Sequence, residues 1–113
     1  KVRFVTMPIQ FNVIDLQSNF NFCWLLTEKY LYKYNYFGSI ISTIPNDGIT
    51  KIAEDNGNLV IQKNGKLFYI AKDSQSMLPI QLNELLINQF LVTNETLYIY
   101  DSKKLHQYQL KIK

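Results

Sequence analysis

A β-rich composition, two Asn-Gly turns set between β-like runs, and three mutually similar segments predict an all-β fold of tandem antiparallel units. Only two alanines occur, Ala53 and Ala71, whereas Ile, Val, Thr, Tyr and Phe are plentiful, so intrinsic preference favours extended backbone over helix. Asn56-Gly57 and Asn64-Gly65 supply positive φ at little cost, as two-residue hairpin turns require. Residues 49–71 therefore read as three successive antiparallel strands, Ile49 to Glu54, Leu59 to Gln62 and Lys66 to Ala71. Asn83 to Val92 has two readings. In one, Leu82, Leu85, Leu86 and Leu91 line a short helix behind an Asn cap; in the other, the stretch is the inner strand of a repeat.

Three segments align without gaps: Trp24 to Tyr34, Val60 to Ile70 and Phe90 to Tyr100. Each is an apolar strand, a polar turn and a second strand beginning with Leu, and the anchoring Leu31, Leu67 and Leu97 are 36 and then 30 residues apart. Met7-Pro8-Ile9-Gln10-Phe11-Asn12 matches Leu78-Pro79-Ile80-Gln81-Leu82-Asn83, with Ile44-Pro45 a shorter echo between them. Proline in a strand belongs on a sheet edge, where no ladder donor is missed, so each unit reads as four strands, the outer one carrying Pro. A four-stranded antiparallel unit of roughly 40 residues, repeated in tandem, is the blade of a β-propeller.

On this reading residues 1–9 are the outer strand of a preceding blade, and blade-like repeats follow at about 13–45, 49–82 and 85–112. Sheets covered on both faces by neighbouring blades explain strands that are apolar almost throughout. Tyr32 and Tyr34, Phe68, and Tyr98 and Tyr100 then share one face of equivalent strands as packing between blades. The regular spacing of short strands also fits a small antiparallel barrel or sandwich with a ligand inside, which the matched units disfavour. Three blades cannot close a ring, because typical propellers use about four to eight. Either further blades precede Lys1, the preferred version, or two copies combine into a six-bladed ring.

The run from Asn21 to Gly38 and the ending Thr93-Asn94-Glu95-Thr96-Leu97-Tyr98-Ile99-Tyr100-Asp101 resemble the C-terminal blades of irregular, uncharacterised bacterial β-propeller proteins. The resemblance spans nearly the whole chain and implies an extracytoplasmic scaffold: periplasmic, secreted or associated with the outer membrane.

The 113 residues, 47% apolar, 14% aromatic and 19% charged, suit one globular unit with one modest core. Net charge is +3, but Arg3 is the one arginine and the lysines are scattered, unlike a phosphate-tracking surface. They read as solvated charges that discourage edge pairing, so no nucleic-acid partner is expected. No run reaches the roughly 18 to 20 apolar residues of a membrane-spanning helix. Cys23, alone and between Phe22 and Trp24, reads as a core thiol.

Catalytic chemistry finds no constellation in the sequence. His106 is the single histidine, on an alternating strand beside Tyr108 and Leu110, and no nucleophile-elbow motif accompanies it. One histidine and one cysteine cannot build the usual metal sites, Asp55-Asn56-Gly57-Asn58 lacks the calcium-loop ligand run, and the four glycines form no phosphate cradle. No catalytic residue, metal or cofactor is therefore expected. Binding candidates fall in the loops that lead into inner strands or join later strands: Gln10, Asn12, Glu28, Lys29, Tyr30, Asp47, Asn64, Asn83 and Glu95. Such a face is polar and mixed in sign, suited to protein or carbohydrate, and a sugar-stacking role is kept for Tyr30 and Tyr36 alone among the tyrosines. The leading expectation is a non-enzymatic scaffold or protein-interaction module, joined to another protein or to additional blades. The alternative is a propeller hydrolase or carbohydrate-binding protein whose active half lies outside this chain.

Overall fold

The computed structural model describes residues 4–82 and 86–111. Its strands form three antiparallel sheets and, among the described residues, no helix. Sheet one orders β1 (Val13–Ser18), β2 (Phe22–Thr27), β3 (Tyr30–Asn35) and β4 (Ile40–Pro45). Sheet two repeats that order with β5 (Ile49–Asp55), β6 (Asn58–Lys63), β7 (Lys66–Ile70) and β8 (Met77–Pro79). Sheet three holds β9 (Gln89–Thr93), β10 (Thr96–Tyr100) and β11 (Leu105–Gln109). No strand pairing joins one described sheet to another, so the alternative of a small closed barrel is set aside. The sheets stack face to face in a body 44 × 26 × 26 Å.

The hairpin chemistry is local. At Asn56-Gly57 φ is 51° and 87°, and at Asn64-Gly65 it is 52° and 77°, the paired positive values of a type I′ turn whose twist suits antiparallel strands. Asn94-Glu95 makes the same turn without a glycine, at φ 51° and 60°. The turn between β2 and β3 is held instead by Thr27, whose Oγ1 accepts from Lys29 N at 3.2 Å and Tyr30 N at 2.9 Å.

Side chains alternate across each strand, so sheet two feeds two cores. Ile52, Leu59 and Ile61 pack toward sheet one against Trp24, Leu26 and Leu31. Val60 and Leu67 pack toward sheet three against Phe90, Leu97 and Ile99. Apolar runs such as Leu59-Val60-Ile61 follow from covering both faces. Cys23 is half-buried, and burial raises its thiol pKa.

β1, β5 and β9 lie side by side and parallel, joined by side chains that reach the backbone of the next sheet. Asp15 Oδ2 accepts from Ile52 N at 3.0 Å, and Gln17 Oε1 from Glu54 N at 3.3 Å. One sheet further on, Lys51 Nζ donates to Phe90 O at 3.0 Å, and Asp55 accepts from Asn94 N and Glu95 N at 2.9 and 2.7 Å. These bonds make β9 the inner strand of sheet three. That agrees with the strand reading of Asn83 to Val92 over 89–93 and not with the helix; 83–85 lie outside the described residues.

The same bonds correct the third repeat. The ungapped alignment equates β9 with β2 and β6, which run opposite to β1 and β5, whereas β9 runs with the inner strands. The three matched segments share an apolar strand, a two-residue turn and a Leu-led strand, a pattern that any hairpin of these sheets satisfies. Tyr98 and Tyr100 accordingly do not share the face of Tyr32 and Phe68: β10 is a second strand, β3 and β7 are third strands. Sheet three also has three strands among the described residues instead of four. Residues 4–9 form no strand; a strand needs a partner, and the repeat reading gave them one that would precede sheet one.

Candidate functional site

The end of the stack at which the chain enters β1, β5 and β9 is taken as the upper end. Backbone bonds there tie the loops into β1 and β5 to neighbouring hairpins. Glu28 N donates to Asn12 O at 2.9 Å, Asn46 N to Lys29 O at 2.8 Å, and Asn64 N to Gly48 O at 3.0 Å. Gly48 sits at φ +86°, and a Cβ there would collide with Asn64 Oδ1, so glycine is what lets the two loops meet.

Asn46 is the fastening between sheets one and two. Its Nδ2 donates to Thr27 O at 2.8 Å and Ile49 O at 3.3 Å, while its Oδ1 accepts from Ile49 N at 2.7 Å. Thr27 is fully buried, so without Asn46 its carbonyl would lose its partner inside protein. The signal in the sequence is Pro45-Asn46-Asp47-Gly48, a turn-rich linker whose Asn makes bonds to the flanking backbone.

Gln10, Asn12, Glu28, Lys29, Tyr30, Asp47 and Asn64 all lie at this upper end and are exposed, giving a rigid rim with charges of both signs. Tyr30 meets Phe11 at 5.9 Å and Tyr32 at 5.7 Å between ring centroids, both in tilted contact. Asn83 lies outside the described residues. Glu95 is misplaced by the repeat alignment: its amide bonds Asp55 where β5 leaves the lower end, so it belongs to the opposite face. Tyr36, in the turn after β3, is also at the lower end, so Tyr30 and Tyr36 cannot form one stacking platform.

Two features of the upper end escaped the sequence reading. One is the turn after β10, where Asp101 accepts from Lys103 N at 2.9 Å and Lys104 N at 2.7 Å and lies 2.8 Å from His106 Nε2. The His106 hydrogen bond, then those amides, hold the Asp101 carboxyl well below the usual carboxylate range. The signal is Asp101-Ser102-Lys103-Lys104, an Asp-led turn of the kind whose carboxylate caps amides two and three residues on. The other is an open groove of about 670 Å³ lined by Asn64, Lys66, Phe68, Pro79, Gln81, Leu86 and Ile87, among others. No local pattern announces it, because its described walls are 64–68, 79–82 and 86–87, the first two brought together by the β7–β8 pairing.

Among the described residues no three His, Cys, Asp or Glu gather as a metal site, and no helix is long and apolar enough to cross a membrane. The arrangement offers shape, hydrogen bonds and mixed charge.

No family model matches the chain, and no curated protein matches it. Among solved structures it is similar to the crystal structure of the N-terminal domain of Nup159, a β-propeller, with TM-score 0.57 and 16% identity over 91% of this chain. The chain spans 33% of that domain's length. At that identity the likeness shows the fold alone: this chain is all-β, in antiparallel sheets stacked as part of a propeller.

Proposed function

We propose that this chain is a non-enzymatic propeller-type scaffold whose upper end holds a segment of another protein. The observation that carries the reading is the groove beside Asn64. Its volume, about 670 Å³, falls in the range of ligand sites, roughly 300 to 1,000 Å³. Phe68, Leu86 and Ile87 give it apolar walls while Asn64, Lys66 and Gln81 supply hydrogen-bonding groups at its rim. That mixture suits a short peptide with one or two apolar anchors. Among its described lining residues Lys66 is the one titratable group, which supports binding over turnover. The extracytoplasmic location belongs to the same proposal and is supported by the family resemblance.

The test is selection from a displayed library of random peptides. Enriched peptides should bind the chain and lose affinity at least tenfold to Leu86→Asp, a change at an exposed side chain that leaves both cores intact. Absence of enrichment, or a small molecule turned over in the groove, would overturn it.

A further inference from the structure

We propose that residues 4–9 of one chain add as a fourth strand to the outer edge of β11 in a second copy of the same chain. The inference deepens the partner part of the scaffold reading and uses the sheet stack, independently of the groove.

The first observation is an unfinished edge. β4 and β8, the outermost strands of sheets one and two, end in Pro45 and Pro79, residues suited to an edge because the missing N–H is not needed there. β11 is the outermost described strand of sheet three, and Leu105 to Gln109 contains neither proline nor Lys, Arg, Asp or Glu, the devices that normally blunt such an edge. The hydrogen-bond phase fixes which groups it presents. The Asn94-Glu95 turn makes Thr93 and Thr96 a bonded pair, so Thr96, Tyr98 and Tyr100 bond β9, while Leu97 and Ile99 bond β11 through Tyr108 and His106. Leu105, Gln107 and Gln109 therefore turn their N–H and C=O groups to the vacant side.

The second observation is a strand without a sheet. Met7-Pro8-Ile9-Gln10 repeats Leu78-Pro79-Ile80-Gln81, the residues that in sheet two form the end of the fourth strand and lead toward the next inner strand. Residues 4–9 pair with no described strand, and Phe4, Val5 and Ile9 are exposed. The segment crosses the free face of sheet one in the direction of β4 and β8. A Cβ on Gly38, at the lower end, would lie 2.7 Å from Val5 Cγ1, while Phe11 meets Tyr30 at the upper end.

The third observation is continuity. Sheet two packs both its faces on its neighbours, but the far faces of sheets one and three leave Leu16 and Leu105 55% and 67% exposed. Setting sheet three of a second copy on the far face of sheet one continues the existing stack. It also brings the vacant edge of β11 beside residues 4–9. Both needs are met by segments present in this sequence, and two copies related reciprocally give six sheets, within the propeller range of about four to eight.

The experiment is the mass in solution of the whole chain, with two variants. At about 50 µM the expected mass is twice 13.3 kDa. Gln107→Pro removes an outward N–H and no bond to β10; its expected mass is that of one chain, with unchanged strand circular dichroism. The β7–β8 register, in which the outward-bonding Tyr69 faces Leu78, places Met7 opposite the outward-bonding Gln107 when carried over. In a Cys23→Ser background, chains with Met7→Cys mixed with chains with Gln107→Cys should therefore form a disulfide between copies. A single-chain mass for the unaltered protein, or a Gln107→Pro variant that remains paired, overturns the proposal. Should Gln107→Pro not fold, the mixed disulfide decides: its formation supports the pairing and its absence overturns it. Loss of peptide binding in the groove leaves all these results unchanged, so the two readings fail separately.

Discussion

Sheet two meets its neighbours through two interfaces built to one plan, with the polarity reversed at one matching position. A bulge after Val13 sets the phase of β1, and a bulge after Ile49 sets that of β5, so Asp15 and Lys51 occupy matching positions. Asp15 receives an amide of the next sheet and Lys51 gives to a carbonyl of the next. The register therefore fixes the reach and position of the crossing side chain, while its sign follows from whichever backbone group the neighbouring edge presents. Asp15 also accepts from its own neighbour, Leu16 N, at 2.8 Å, so a single carboxylate finishes one edge and begins the joint to the next. Sheet three is also held at its turn, where the amides of Asn94 and Glu95 donate to Asp55, which makes Asp55 a clamp on a strained hairpin.

The largest expected effect lies in the two cores. Leu26 and Leu97 are both fully buried, one in each interface, and truncation of either to Ala should cost about 2–5 kcal/mol in denaturant unfolding. Hydrogen exchange sharpens the comparison, because in a stack each sheet leans only on its neighbours. Leu97→Ala should raise exchange in β10 and β11 first and leave β2 protected, while Leu26→Ala does the reverse. Uniform loss of protection in both variants would show one cooperative body with no separate joints.

The crossing side chains come next. Asp15→Ala leaves Ile52 N and Leu16 N without their acceptor and should cost about 1–3 kcal/mol. Lys51→Ala releases a carbonyl, which water can satisfy, and a cation–π contact 4.8 Å from the Phe90 ring centroid, with a cost of about 0.5–1.5 kcal/mol. Asp15→Lys, which gives β1 the sign of β5, should be worse than Asp15→Ala, since it offers a donor to a donor. Equal losses for Asp15→Ala and Asp15→Lys would show that the polarity of the joint carries no weight.

A smaller effect of opposite sign is expected at the third hairpin. Glu95 holds φ +60°, a left-handed conformation that a side chain disfavours by roughly 1–2 kcal/mol. Glu95→Gly should therefore stabilise by about 0.5–1 kcal/mol, part of the relief being offset by the greater freedom of glycine in the unfolded chain. The gain should persist in an Asp55→Ala background, because Asp55 bonds the amide of residue 95 and not its side chain.

Strand existence was legible because it rests on local chemistry: Asn56-Gly57 and Asn64-Gly65 announce their turns, and Val60 between Leu59 and Ile61 announces two covered faces. Strand order in the third sheet was not. A hairpin of two apolar strands looks alike whether it is first-and-second or second-and-third in its sheet, and only the Lys51 and Asp55 bonds, 39 and 40 residues long in sequence, tell them apart. The same ambiguity carried Glu95 to the wrong end of the stack. Of the candidate rim, Asn12, Glu28, Lys29 and Asn64 were found as turn residues, whereas Asn46 gains its importance from Thr27, nineteen residues away. The groove depends on a β7–β8 pairing that no single window contains.

The remaining turn of sheet three tests how far its rigidity depends on charge. A carboxyl whose pKa is lowered by folding adds stability that is present above its unfolded value, about 4, and is lost as pH falls through the folded value. For Asp101 the folded value is displaced well downward, by His106 first and the amides of Lys104 and Lys103 after it, so the turn should stay closed in moderate acid. Carbon NMR should show the Asp101 side chain still ionised at pH 3, where carboxyls of the denatured chain are largely protonated. The amide signals of Lys103 and Lys104 should move only at still lower pH. Asp101→Asn keeps an oxygen acceptor for those amides but removes the charge, so their shifts should become independent of pH in this range. Unchanged acid dependence in that variant would mean that another group, and not Asp101, governs the turn.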